Sequence, residues 1–393
     1  MKVTRVGPLA PRRAVLVAAA LLAVGAAAGP PPDAPHRAGA PPALPAPTGP
    51  HAVGLRTLEL RDGSRRDPWN PDRARELMVS LWYPARLSTA PRARYVTPRE
   101  SAMILRQYRI DDVPQDLLSR TRVYAERAAP PLRSPGRGLP LVVLSPGFGL
   151  PRSSCTALAE DLASRGYAVA AVDHAYEAAA ITYPEGRVTG CGACHRSPDG
   201  TRVAATRAAD LSYVRRQLTS PGTGRGSAPG MRGLPPLDPA RVAVVGHSMG
   251  GAAAFEAVRT DPCFAAGANL DGTFQTAGTT PVNRPFLLLG AGEHGRPGAD
   301  RTWDRVWRRL SGPRHWYSVA GSGHLSFTDY GVFGGPLGRA VPGASKDATA
   351  GEDVLRLTRR TLGAFLDAEL RGSPPALLEA VVRGEPRIRR HGG

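Results

Sequence analysis

The sequence predicts an α/β fold with a mostly parallel central sheet flanked by helices, and three observations carry the prediction. Short runs of β-prone apolar residues alternate with helical stretches from residue 139 to residue 370, the pattern left by helical crossovers between parallel strands. Two further runs, Val53 to Leu60 and Leu77 to Tyr83, flank a turn-rich segment and read as an N-terminal antiparallel hairpin at the sheet edge. The residues with chemical potential fall at the carboxyl ends of predicted strands, where ligands bind in such sheets.

Before the hairpin the chain carries no fold signal. Lys2, Arg5, Arg12 and Arg13 precede the apolar run Ala14 to Ala28, which ends in small residues. That is the layout of a cleavable export signal over residues 1–28, and the run is too short to span a bilayer. Residues 29–50 are rich in Pro and Ala without apolar periodicity and read as a flexible linker. A single catalytic domain is expected over 51–393. No later apolar stretch reaches spanning length, so the expected product is a secreted protein with no transmembrane segment.

Residues 91–137 mix short helical pieces with Pro and Arg and read as a cap-like excursion. Leu139 to Ser145 is a strand that runs into Pro146-Gly-Phe-Gly149. Ser153 to Arg165 follows as an amphipathic helix and Tyr167 to Asp173 as the next strand. Thr201 to Thr219 is a helix with Leu211, Val214 and Leu218 on one face, and the Gly/Pro-rich Ser220 to Pro236 is a surface loop. Strands are expected at Arg241 to Val245, Ala265 to Leu270, Pro285 to Leu289 and Trp316 to Val319. Helices are expected at Asp300 to Leu310 and Asp353 to Leu370.

The strand at Arg241 opens directly into Gly246-His-Ser-Met-Gly250 and then a small-residue helix. Strand, sharp turn and helix around G-x-S-x-G form the nucleophile elbow of an α/β-hydrolase. Serine needs a histidine to take its proton and a carboxylate to orient that histidine, in the chain order Ser, acid, His. Ser248 is the candidate nucleophile. His324, in a glycine-rich loop past the last predicted strand, is the candidate base, with His294 as runner-up. Two carboxylates follow strands and compete as the acid, Asp271 in Asn269-Leu-Asp-Gly272 and Glu293 in Gly290-Ala-Gly-Glu-His294. The oxyanion hole needs two backbone N–H groups, for which Met249 and Phe148 are placed. This chemistry needs no metal and no cofactor.

Composition narrows the partners. The net charge of +18 comes almost entirely from scattered arginine, with Lys2 and Lys346 the only lysines. No basic run is interleaved with aromatics, which argues against nucleic-acid binding. The expected partner is a small-molecule or lipid ester, with transient contact at a lipid interface. Cys155, Cys191, Cys194 and Cys263 allow three pairings. Cys191-Gly-Ala-Cys194-His195 also spells a c-type haem attachment signature, set against a zinc site, a short local disulfide, or pairing with Cys155 or Cys263. His174 ends a strand at the active-site edge, as pocket lining or as structure.

Several stretches resemble the platelet-activating factor acetylhydrolase family, the plasma and type II intracellular kind. They are Ser145-Pro-Gly-Phe-Gly149, the segment Leu162 to His174, Gly246-His-Ser-Met-Gly-Gly251, Ala268-Asn-Leu-Asp-Gly272 and the loop Gly321 to Asp329. Thr57-Leu-Glu-Leu60 and Leu81-Trp-Tyr-Pro84 resemble the family's hairpin, so the likeness runs from about residue 53 to about residue 370. The resemblance implies Asp271 rather than Glu293 as the acid, and short-acyl ester substrates such as the sn-2 acetyl group of a phospholipid. One departure is Pro146, where the family often has histidine in its oxyanion loop. The donor is a backbone N–H, so the hole is expected to survive the change, with an altered loop shape and acyl preference.

Overall fold

The computed structural model describes residues 41–133, 136–220, 231–276, 278–333 and 348–392. The expected export signal, the first part of the linker and most of the Ser220 to Pro236 loop lie outside the described residues. The chain opens with the antiparallel pair β1 (Ala52–Arg66) and β2 (Ala74–Ala85), in which Leu58 faces Val79. Pairing continues through Arg61 with Glu76 and Asp62 with Arg75, so β1 outruns its apolar residues and the turn falls over 67–73.

Within the excursion, α1 (Pro98–Gln107) begins at a capping box formed by Thr97 and Glu100. Next, β3 (Glu126–Arg127) pairs outside β1, so the hairpin lies one strand in from the edge. Then come β4 (Leu139–Ser145), α2 (Thr156–Ser164), β5 (Ala168–His174), the small ribbon β6 (Ile181–Thr182) and β7 (Val188–Thr189), and α3 (Gly200–Thr219). They are followed by β8 (Leu237–His247), α4 (Met249–Thr260), β9 (Ala266–Leu270), β10 (Phe286–Ala291), α5 (Arg301–Trp307) and β11 (Arg314–Val319). The chain closes with α6 (Ala348–Arg371), α7 (Ala376–Arg383) and β12 (Ile388–His391).

Among the described residues the main sheet has ten strands in the order β12-β11-β10-β9-β8-β4-β5-β2-β1-β3. The block from β5 to β11 is parallel, while β2 and β12 run antiparallel to their neighbours in it. This is the mostly parallel α/β-hydrolase sheet with an N-terminal hairpin that the sequence predicts. Alternation along the strands builds two cores. In β4, Leu141 and Val143 face one side with α3 and α4, while Val142 and Leu144 face the other with α2 and α6. After β4 the chain first adds β5 on one side and later β8 on the other. Their carboxyl ends therefore diverge around a crevice, the usual ligand site of such sheets.

Two segments expected to be peripheral are packed. Over residues 41–50 the Pro/Ala-rich tract is docked rather than free. Leu44 is buried, its N–H donates to the Arg122 carbonyl at 3.1 Å, and Thr48 binds the Asp161 carboxylate. The ordered domain therefore begins before His51. The excursion owns a core of Tyr95, Val96, Ile104, Leu105 and Leu118, closed against Leu150, Leu325 and Tyr330. It thereby joins the segments that follow β4 and β11.

A buried ion cluster ties the hairpin turn to the crevice. The Arg75 guanidinium donates to Asp67 at 2.8 Å, to Asp210 at 2.6 Å and to Glu177 at 3.3 Å. Arg207 binds Glu177 at 2.6 Å and donates to the Pro146 carbonyl at 2.6 Å. His174 bridges Asp210 at 2.8 Å and the Ser145 hydroxyl at 2.9 Å. Burial holds its ring down to about 4, so it is neutral and structural. Arg75→Met leaves three buried carboxylates without their shared cation, and a loss of about 3–5 kcal/mol is expected in urea unfolding.

Candidate active site

The position of the candidate nucleophile begins with the absence of side chains around it. A Cβ on Gly246 would lie 2.0 Å from the Gly250 carbonyl carbon, and one on Gly250 would lie 2.0 Å from the Ser145 carbonyl oxygen. Only glycine lets α4 start this close to β8 and β4. Ser248 makes the turn between β8 and α4 with φ 55° and ψ −124°, a backbone state that few residues with a side chain adopt. Its N–H is held by the Leu270 carbonyl at 2.9 Å, and its own carbonyl accepts from Gly251 at 2.8 Å.

Asp271 follows β9 directly and also has positive φ, 54°. The backbone turns here, but the carboxylate is buried and bonded inward. His324 Nδ1 donates to Oδ2 at 2.7 Å, while Oδ1 accepts from Ala291 N–H at 2.7 Å and from His294 Nδ1 at 2.8 Å. Burial would raise this carboxyl, yet the bonds from His294 and His324 outweigh it and hold it down to about 2. Glu293 is elsewhere. Its side chain is 87% exposed and pairs with Arg296 at 2.8 Å. The residue named as the alternative acid is a solvated surface charge.

The two candidate bases separate by what their nitrogens do. His294 Nε2 faces Asp300 Oδ2 at 3.0 Å, so both its ring nitrogens meet carboxylate oxygens. Burial opposes its charge, but Asp271 and Asp300 carry it up to about 10. Charged and doubly engaged, it has no lone pair for a serine proton. His324 Nε2 has no hydrogen-bond partner among the described residues, and its side chain is 45% exposed. His247, next to Ser248, packs its ring 4.6 Å from that of His324 and donates from Nε2 to the His324 carbonyl at 2.8 Å. Burial together with His324 keeps it neutral, down to about 3.

The oxyanion candidates come from two different elements. Met249 opens α4, and Phe148 lies in the loop after β4; neither N–H donates to a protein acceptor among the described residues. The loop is pinned on both flanks, by Arg207 on the Pro146 carbonyl and by Gly149 N–H on the Glu177 carbonyl at 2.9 Å. Gln107 from α1 adds a bond to the Gly149 carbonyl at 3.2 Å. Phe148, Tyr176 and Met249 form a half-buried apolar patch over Trp69, Ala193 and Val203. A separate cavity of about 840 Å³ lies between the hairpin and the excursion, lined by Arg56, Trp82, Arg94 and Arg152, and none of Ser248, Asp271 or His324 borders it.

Cys191 and Cys194 are bonded to each other, which leaves Cys155 buried and Cys263 exposed as thiols. Both sulfurs of the haem-like signature are thus spent within one turn, beside Gly149 of the oxyanion loop. Sequence reasoning missed Asp300, Arg75, Glu177 and Arg207. Isolated charges carry no motif, and only the fold reveals that they meet.

The chain matches the family described as platelet-activating factor acetylhydrolase, isoform II, over residues 40–189 and 234–372. It is 27% identical over 337 residues to a probable 1-alkyl-2-acetylglycerophosphocholine esterase of Arthroderma benhamiae, covering 79% of this chain and 82% of that one. A platelet-activating factor acetylhydrolase of Cavia porcellus is 27% identical over 223 residues, 51% of this chain and 50% of its own length. Among solved structures, a ferulic acid esterase from Streptomyces cinnamoneus superposes with a TM-score of 0.78 at 39% identity, over 90% of this chain and all of that one. Ser248, Asp271, His324 and the loop after β4 all fall inside the matched residues, and the chain belongs to the platelet-activating factor acetylhydrolase isoform II family of α/β-hydrolases.

Proposed function

We propose that this protein is an exported serine esterase that cleaves short-acyl carboxylic esters, such as the sn-2 acetyl group of a phospholipid. One observation carries the proposal: His324 is bound through Nδ1 to a buried carboxylate, its other nitrogen is free of protein partners among the described residues, and its ring packs on His247, the residue before a serine on a strained elbow. In this reading Ser248 Oγ attacks the ester carbonyl while His324 Nε2 takes its proton. The tetrahedral oxyanion is received by the N–H groups of Phe148 and Met249. His324 then returns the proton to the leaving alcohol, and water activated by the same ring hydrolyses the acyl-enzyme. Asp271 holds the tautomer that leaves Nε2 as the acceptor.

The acyl group would lie against Phe148, Tyr176 and Met249. That aromatic patch favours a second reading, an esterase for aromatic acids, in line with the name of the Streptomyces structure. Export rests on the N-terminal pattern and on the Cys191–Cys194 disulfide, which suits an oxidising compartment. Contact with a lipid surface would be transient, and among the described residues no helix is long and apolar enough to cross a membrane.

Hydrolysis of p-nitrophenyl acetate, butyrate and palmitate and of methyl ferulate tests the reading. Acetate or butyrate is expected to be preferred, with Ser248→Ala losing at least about 10³-fold in kcat. A palmitate preference makes the enzyme a lipase and a ferulate preference supports the aromatic reading. Absence of turnover on every ester leaves a silent binding protein. Asp271→Asn is expected to lose about 10⁴-fold in kcat through the wrong tautomer, whereas Glu293→Gln should stay near wild type. The reverse ranking would make Glu293 the acid.

A further inference from the structure

We propose that His294 is a positioning residue for the catalytic acid, a cation clamped between Asp271 and Asp300 that fixes the Asp271 carboxylate and tempers its hold on the His324 proton. The inference rests on the assignment of Ser248, Asp271 and His324 above. Asp271 Oδ1 is held by His294 and Ala291 and Oδ2 by His324, so the carboxylate cannot turn without breaking bonds to three partners. His294 is anchored on its far side. Asp300 receives Nε2 on Oδ2 and Thr302 N–H on Oδ1 at 2.8 Å, as the N-cap of α5. The ring also meets the edge of Trp303, with centroids 5.6 Å apart, and Trp303 Nε1 donates to the Gly272 carbonyl at 2.8 Å. A rigid chain of groups thus runs from the start of α5 through Asp271 to the loop after β11.

Both ring nitrogens of His294 face carboxylate oxygens, an arrangement that uses two protons. The imidazolium is the form that fits, and the two carboxylates hold the ring charged well above neutral pH. Other groups around it leave this balance alone. The Thr273 hydroxyl approaches Nε2 at 3.3 Å, Glu293 and Arg296 neutralise each other in solvent, and Asp304 accepts from Gly298 N–H. With His294 charged, Asp271 and Asp300 together leave one net negative charge to stabilise protonated His324. Without that charge they leave two. The proton is then held more tightly and the base becomes available only at higher pH.

The test is kcat/KM for p-nitrophenyl acetate from pH 5 to pH 9, with wild type and His294→Gln, which keeps a hydrogen-bonding side chain and removes the charge. The acid limb is expected to move up by about 0.5–1 pH unit. The plateau kcat should fall by about tenfold, with KM within about twofold. An unmoved acid limb, whether activity is unchanged or uniformly lower, overturns the proposal, because a merely structural role lowers the plateau without shifting the limb. If the variant does not fold, imidazole ¹⁵N chemical shifts in the wild-type protein decide. His294 is expected to keep both ring protons from pH 6 to pH 9, and a neutral ring at pH 7 overturns the inference. Activity retained in Ser248→Ala would be a different failure, that of the serine mechanism itself.

Discussion

The site depends on a steric constraint, the lack of room for a side chain where β8 turns into α4. Gly246 and Gly250 bring helix and strands to distances that a methyl group would block. Between these two glycines the backbone at Ser248 takes positive φ, in the turn that joins strand to helix. The same crowding places the first N–H of α4 beside the nucleophile. One packing requirement therefore sets both the half-buried serine and the Met249 N–H that donates to no protein acceptor among the described residues.

The loop that carries Phe148, the second candidate donor, is held by electrostatics rather than by packing. The loop after β4 is gripped through its carbonyls and amides by Arg207, Glu177 and Gln107, and behind these stand Arg75, Asp67, Asp210 and His174. Buried ions are expensive unless every partner is present, and here the carboxylates and guanidiniums satisfy one another. Because the hairpin turn supplies Asp67 and β2 supplies Arg75, the sheet edge helps to hold the oxyanion loop. The disulfide and the excursion reach the same loop from other directions, which makes it the point where the accessory parts of the fold converge.

Much of this was legible in the sequence where strand, turn and helix are contiguous. The elbow reads directly, since glycines, serine and flanking periodicity all lie within a short window. His324 is legible from its glycine-rich loop after a strand. Residue type alone could not separate Asp271 from Glu293, as both follow strands; burial separates them, and burial depends on neighbours distant in sequence. His294 looked like a rival base because a lone histidine gives no hint that Asp300 will reach its other nitrogen. The Pro/Ala-rich tract looked free because its composition is that of a linker, although Leu44 and the Arg122 pairing anchor it. The closing α7 and β12 went unread, for they complete a sheet edge that only the folded chain defines.

The most direct test of the account is the mass of the protein during turnover. Purified enzyme mixed with p-nitrophenyl acetate, quenched in acid and digested, is expected to carry one acetyl group on the peptide containing Ser248, with none on that peptide in Ser248→Ala. Acetyl on another residue, or rapid ester turnover with no labelled peptide even at the earliest quench and with Ser248→Ala equally active, would contradict the acyl-enzyme mechanism built on this elbow.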